Sequence, residues 1–136
     1  MSYKVCKIVD FCYGHRLLNY EGKCKYLHGH NATAELEFES TWLDSRGMVY
    51  DFTEIKTLSS SIRETLDHRL ILNQDDPLCA VLTSAKETFI TMKGNPTAEN
   101  IAKMIYEHLQ ATGLQIVSVK VWETPDSSAT YTEKGE

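Results

Sequence analysis

The chain has 136 residues, of which 42% are hydrophobic and 24% charged, the size and make-up of one globular domain. Fourteen Lys and Arg against nineteen Asp and Glu give a net charge of −5 with no basic stripe, which excludes a broad nucleic-acid surface. No apolar run of about 18 residues occurs, so no membrane span is expected. The amino terminus, MSYKVCKIVDFC, lacks an apolar core followed by a small-residue cleavage site, so no signal peptide is read. Cys6, Cys12, Cys24 and Cys79 are therefore expected as reduced thiols of a cytoplasmic protein.

Residues 4–12 alternate as a strand, with Val5, Val9 and Phe11 on one face and Cys6, Ile8 and Cys12 on the other. Residues 14–29 hold three glycines and read as a connecting loop. Residues 31–40 alternate cleanly: Ala32, Ala34, Leu36 and Phe38 face one way, Thr33, Glu35, Glu37 and Glu39 the other. Asp51 followed by Glu54 marks a helix start, and Ile55, Leu58, Ile62 and Leu66 follow at helical spacing. Residues 69–94 give the weakest pattern: a turn at Asp75-Asp76-Pro77, a short apolar helix, then a short extended piece.

A second helix starts near Asn95-Pro96-Thr97, with Pro96 suited to its first turn. It carries the stripe Ile101, Ile105 and Leu109 and ends at Gly113. Residues 114–123 form a strong strand, and Ala129-Thr130-Tyr131 starts a short one. This order predicts a single α+β domain over 1–136, a four-stranded antiparallel sheet with helices over one face. If the other face is apolar, association of subunits would cover it.

Three of the five histidines, His15, His28 and His30, fall within sixteen residues. His28 and His30 are two apart, so on an extended segment they point the same way. If the first two strands pair, their ends bring His15 alongside. Three imidazoles suit Zn²⁺ and leave a fourth position open, as in catalytic zinc sites. Cys24 has two readings, a fourth ligand closing a structural site or a thiolate held near the metal. Asp67-His68 reads either as a helix-end surface pair or as a proton-transfer pair. Glu123 continues the Val117, Val119, Val121 face. It is either exposed beyond the strand end or a carboxylate accepting two N–H groups from a heterocycle. His108, deep in the second helix, reads as surface.

Together these residues resemble the 6-pyruvoyl-tetrahydropterin synthase / 6-carboxy-tetrahydropterin synthase family. The resemblance rests on Phe11-x-x-x-His15-Arg16-Leu17 and Cys24-x-x-x-His28-Gly29-His30-Asn31. It extends through Asp51-Phe52, Leu66-Asp67-His68, Asn95-Pro96-Thr97-Ala98-Glu99-Asn100 and Glu123-Thr124.

The resemblance implies a tunnelling fold, with two helices on one face of a four-stranded antiparallel sheet. Trimers close into a barrel, often stacked as hexamers, with active sites at subunit interfaces. It implies His15, His28 and His30 as zinc ligands, Cys24 as the catalytic thiolate, Asp67 and His68 as the proton-transfer pair, and Glu123 as the pterin anchor. The implied substrate is 7,8-dihydroneopterin triphosphate, with zinc acidifying C–H bonds beside its side-chain oxygens and Arg16, Lys23 and Lys25 as candidates for the triphosphate.

The Cys24-to-His28 spacing resembles the 6-carboxy branch, whose reaction releases acetaldehyde and triphosphate and feeds 7-deazapurine synthesis, queuosine included. The 6-pyruvoyl reaction is the alternative. Ala32 stands where the family often has an aromatic, and residues 74–94 are longer than in compact members.

Overall fold

The computed structural model describes residues 1–133. The alternating segments pair as a long antiparallel hairpin, β1 (Tyr3–His15) with β2 (His28–Ser40). Its inward row on β2, Ala32, Ala34, Leu36 and Phe38, is buried to 2% exposure or less. β2 continues antiparallel to β5 (Ile116–Thr124), and β5 to β6 (Ser127–Tyr131). These four strands match the antiparallel sheet expected from the sequence.

The weakly patterned stretch adds more. β3 (Arg69–Asn73) lies parallel to β1, and β4 (Ile90–Met92) parallel to β3, with α2 (Leu78–Ser84) between them. The sheet is therefore six-stranded and mixed, in the order β4-β3-β1-β2-β5-β6. β4 answers the short extended piece expected there, whereas β3, whose last three residues are all buried, shows no alternation to read.

α1 (Phe52–Leu66) and α3 (Ala98–Gln110) cover one face. Asp51 caps α1 by accepting from the Thr53 N–H, and Ile55, Ile62 and Leu66 enter the core. Thr97 caps α3 by accepting from the Asn100 N–H. Pro96 thus precedes the cap rather than sitting in the first turn. Helix α3 stops at Gln110, three residues before Gly113, which adopts φ 88° in the turn beyond.

The opposite face carries Lys4, Cys6, Ile8 and Asp10 on β1 and Thr33, Glu35 and Glu37 on β2. Lys4 pairs with Glu37, and the Trp122 indole N–H donates to Glu35. That face is largely polar, so hydrophobic burial does not demand a cover for it. Among the described residues, no helix is long and apolar enough to cross a membrane.

Candidate active site

The expected connecting loop is shorter than its glycines suggest. β1 runs on to His15 and β2 begins at His28, and these two residues face each other in the ladder. Tyr13 faces His30 one step back along the same row. The imidazoles of His15, His28 and His30 consequently converge, with ring centroids 4.5–5.1 Å apart.

Each ring is set by a different part of the chain. His15 Nδ1 lies 2.7 Å from the Pro96 carbonyl, and His28 Nδ1 lies 2.7 Å from the Tyr26 carbonyl. A carbonyl only accepts, so both Nδ1 atoms carry the proton and both Nε2 atoms present a lone pair. The Nε2 atoms of all three histidines are buried without a well-aligned hydrogen bond. Burial holds His15 and His30 below the ordinary imidazole range, which keeps them neutral.

Glu123 joins them. Its Oε1 lies 2.7 Å from His30 Nε2 and 3.2 Å from His15 Nε2. One donor atom from each of His15, His28, His30 and Glu123 falls within 4.8 Å of the others. His15 and His28 with inward lone pairs, and His30, whose Nε2 would give up its proton on binding, form a three-nitrogen donor set that fits zinc, with Glu123 beside it. Cys24 sits on a 3₁₀ turn, Lys23–Lys25, and is not part of this group.

The segment Asn95-Pro96-Thr97 builds the support for His15. Asn95 Oδ1 accepts from the Leu18 N–H and from Asn73 Nδ2, and Asn95 Nδ2 donates to the Leu18 carbonyl. Asn100 Nδ2 donates to the Asn95 carbonyl. The loop after β1 is thereby tied to the start of α3. Sequence reading assigned the segment only to the helix start, because a backbone carbonyl eighty-one residues away leaves no side-chain signal.

Asp67 and His68 form a second cluster, and their thiol partner within the chain is Cys12. The Cys12 N–H donates to Asp67 Oδ1 at 2.8 Å, and the His68 N–H donates to the Cys12 carbonyl at 2.7 Å. Cys12 Sγ lies 3.5 Å from His68 Nδ1, and Asp67 Oδ2 lies 3.0 Å from the same nitrogen. The Cys12 N–H, then His68, hold the Asp67 carboxyl down at about 2. A carboxylate only accepts, so His68 Nδ1 carries the proton and Nε2 is free for substrate.

His68 has φ 59°, a left-handed conformation costly for a residue with a side chain, and its ring is 81% exposed. An open cleft of about 560 Å³ is lined by Cys12, His28, His30, Asn31 and His68 together. Both clusters therefore face one space. The alternation of β1 places Cys12 only on its outward face, because its partners lie 55 residues away in the chain.

Arg16 is committed elsewhere. Its Nε donates to Asp76 Oδ2 at 2.8 Å and its second nitrogen to Oδ1 at 2.5 Å, with the Asp76 side chain fully buried. That bidentate pair occupies Nε and one terminal nitrogen of Arg16, whereas Lys23 and Lys25 are both exposed. His108 is exposed near the end of α3, as expected.

The model of the family described as 6-pyruvoyl tetrahydropterin synthase matches residues 4–134. The chain is 34% identical over 131 residues to the 6-carboxy-5,6,7,8-tetrahydropterin synthase of Rickettsia conorii, covering 90% of this chain and 95% of that protein. It is 32% identical to the Aquifex aeolicus protein of the same name, covering 98% and 100%. An uncharacterized protein of Wolinella succinogenes has a similar structure, with TM-score 0.85, 30% identity and coverage of 98% and 99%. The 6-pyruvoyl tetrahydropterin synthase of Caenorhabditis elegans follows at TM-score 0.73 and 25% identity, covering 98% and 97%. The architecture is the α+β tunnelling fold of these neighbours, and the chain belongs to the 6-pyruvoyl tetrahydropterin synthase family.

Proposed function

We propose that the chain is a zinc-dependent lyase converting 7,8-dihydroneopterin triphosphate to 6-carboxy-5,6,7,8-tetrahydropterin, with release of acetaldehyde and triphosphate. The observation that carries this reading is the convergence of three imidazoles and Glu123 beside a cleft that His28, His30 and His68 line. The names of the Rickettsia and Aquifex relatives favour the 6-carboxy product.

His15, His28 and His30 would hold zinc, which supplies Lewis acidity to side-chain oxygens of the substrate. Glu123 accepts N–H groups of the pterin ring and fixes its register. His68 exchanges protons with the substrate through Nε2, while Asp67 holds Nδ1 and stabilises the imidazolium. Cys24 takes a carbon-bound proton as thiolate. Because Cys24 stands outside the Asp67-His68 cluster and the His68 ring is exposed, we assign the working pair to two neighbouring subunits of a homotrimer or hexamer. Lys23 and Lys25 receive the triphosphate. The enzyme acts in the cytoplasm and its product feeds 7-deazapurine synthesis.

The test is anaerobic incubation of zinc-loaded protein with dihydroneopterin triphosphate, followed by mass spectrometry of the pterin and an acetaldehyde assay. A 6-carboxy product with acetaldehyde is expected. A 6-pyruvoyl product without acetaldehyde would reassign the chain to that reaction, and no turnover would refute both.

A further inference from the structure

Among the described residues, four buried side-chain nitrogen and oxygen atoms lack a hydrogen-bond partner, and they gather at one place. Three are the Nε2 atoms of His15, His28 and His30, and the fourth is the hydroxyl of Tyr13. Tyr13 is 3% exposed, with its ring edge-on to His15 at 5.0 Å and tilted against His30 at 5.7 Å. An orphaned buried hydroxyl is uncommon, because leaving it unpaired forfeits its hydration for nothing.

The sheet register explains how the phenol gets there. Phe11 faces Ala32 and Tyr13 faces His30 across β1 and β2, while Thr33 faces Trp122 across β2 and β5. Antiparallel counting then sets Glu123 opposite Ala32, one step along the row from His30, so Tyr13 and Glu123 lie on either side of β2 in neighbouring positions of one face. A phenol hydroxyl can donate, and Tyr13 lines the same cleft as His28 and His30. Tyr13 is thus a donor beside the carboxylate and the three ring nitrogens.

We infer that the Tyr13 hydroxyl is a substrate-positioning group that donates a hydrogen bond to an oxygen of the ligand held between the histidines and Glu123. This deepens the pterin reading and rests on it. The ligand class is a hydroxylated or carbonyl-bearing heterocycle, and the hydroxyl selects for an oxygen at that point. A purely structural tyrosine would lose stability on removal of its hydroxyl. A positioning one gains stability when empty and loses affinity.

Tyr13→Phe in the full oligomer separates these. The probes are neopterin, an oxidised pterin carrying the same trihydroxypropyl side chain, and Co²⁺ in place of zinc. Expected are an unchanged metal content, a metal-free Tm equal to wild type or a few degrees higher, and neopterin binding weakened roughly tenfold, the worth of one hydrogen bond. Unchanged neopterin affinity, or a Tm lowered by several degrees, would overturn the inference. If wild type binds Co²⁺ but not neopterin, the pterin reading fails on its own. The cobalt absorption band then decides the hydroxyl's role: a band altered in Tyr13→Phe keeps it beside whatever oxygen ligand fills the open position of the metal, and an unaltered one overturns the inference.

Discussion

His15 Nδ1 and the Pro96 carbonyl, 2.7 Å apart, join the end of the first strand to the start of the last helix. This contact fixes the tautomer of His15, so on the proposed zinc site the loop would govern metal affinity without supplying a ligand. Asn95 holds that loop through its contacts with Leu18 and Asn73. Asn95→Ala is expected to weaken zinc binding by about 10–100-fold, the range for loss of an orienting partner. Competition against a chromophoric chelator measures it, and unaltered affinity would refute the link.

Alanine at His15, His28 or His30 should abolish stoichiometric zinc, whereas Cys24→Ala should keep zinc and lose turnover. Metal analysis beside a product assay reads both. Zinc lost with Cys24 would instead mean a closed four-ligand site. Chelation should silence the wild-type enzyme and added zinc restore it.

Asp67 is held at about 2, against an ordinary value of 3.8, first by the Cys12 N–H and then by His68. A depressed carboxyl stabilises the fold fully above its unfolded value and loses that contribution as pH falls through its folded one. Denaturation of wild type and Asp67→Asn should therefore differ at pH 7 and converge towards pH 2. A gap that persists at pH 2 would mean that Asp67 acts through packing. The same substitution should lower kcat by about 10²–10⁴ if His68 is the proton carrier.

Cys12 shares His68 Nδ1 with Asp67, yet the two backbone bonds between Cys12 and the Asp67-His68 pair do not depend on its side chain. Cys12→Ser should retain zinc and fold, and alter the pH profile of kcat/KM more than its maximum. Loss of turnover as complete as in Cys24→Ala would make Cys12 the working thiol. A profile flat from about pH 5 to 9 in wild type would speak against both thiols and His68.

Asp76 is buried, receives both Arg16 bonds and accepts from the Leu78 N–H at the start of α2. Removing one partner of such a pair strands the other charge and costs about 3–5 kcal/mol. Arg16→Met, which strands the fully buried Asp76 carboxylate, should lose stability on that scale by chemical denaturation. Lys23→Glu with Lys25→Glu should leave stability alone and raise KM.

The sequence by itself determined the antiparallel frame and the two covering helices. Long strands and helices write their period into the side chains: Ala32 to Phe38 alternate because one face must be buried, and Ile101, Ile105 and Leu109 repeat because one helical stripe must be. It also determined the three-histidine group, since two histidines two apart on a strand share a face whatever the fold.

Tertiary structure alone decided the rest. β3 shows no alternation because its last three residues are all buried, and only its pairing with β1 reveals it. Cys12 meets Asp67-His68, Arg16 is taken by Asp76, and Pro96 orients His15 through contacts spanning 55 to 81 residues. Such contacts depend on which chain segments the sheet order brings together. Local spacing fixes only the face on which a side chain starts, not the group it meets there.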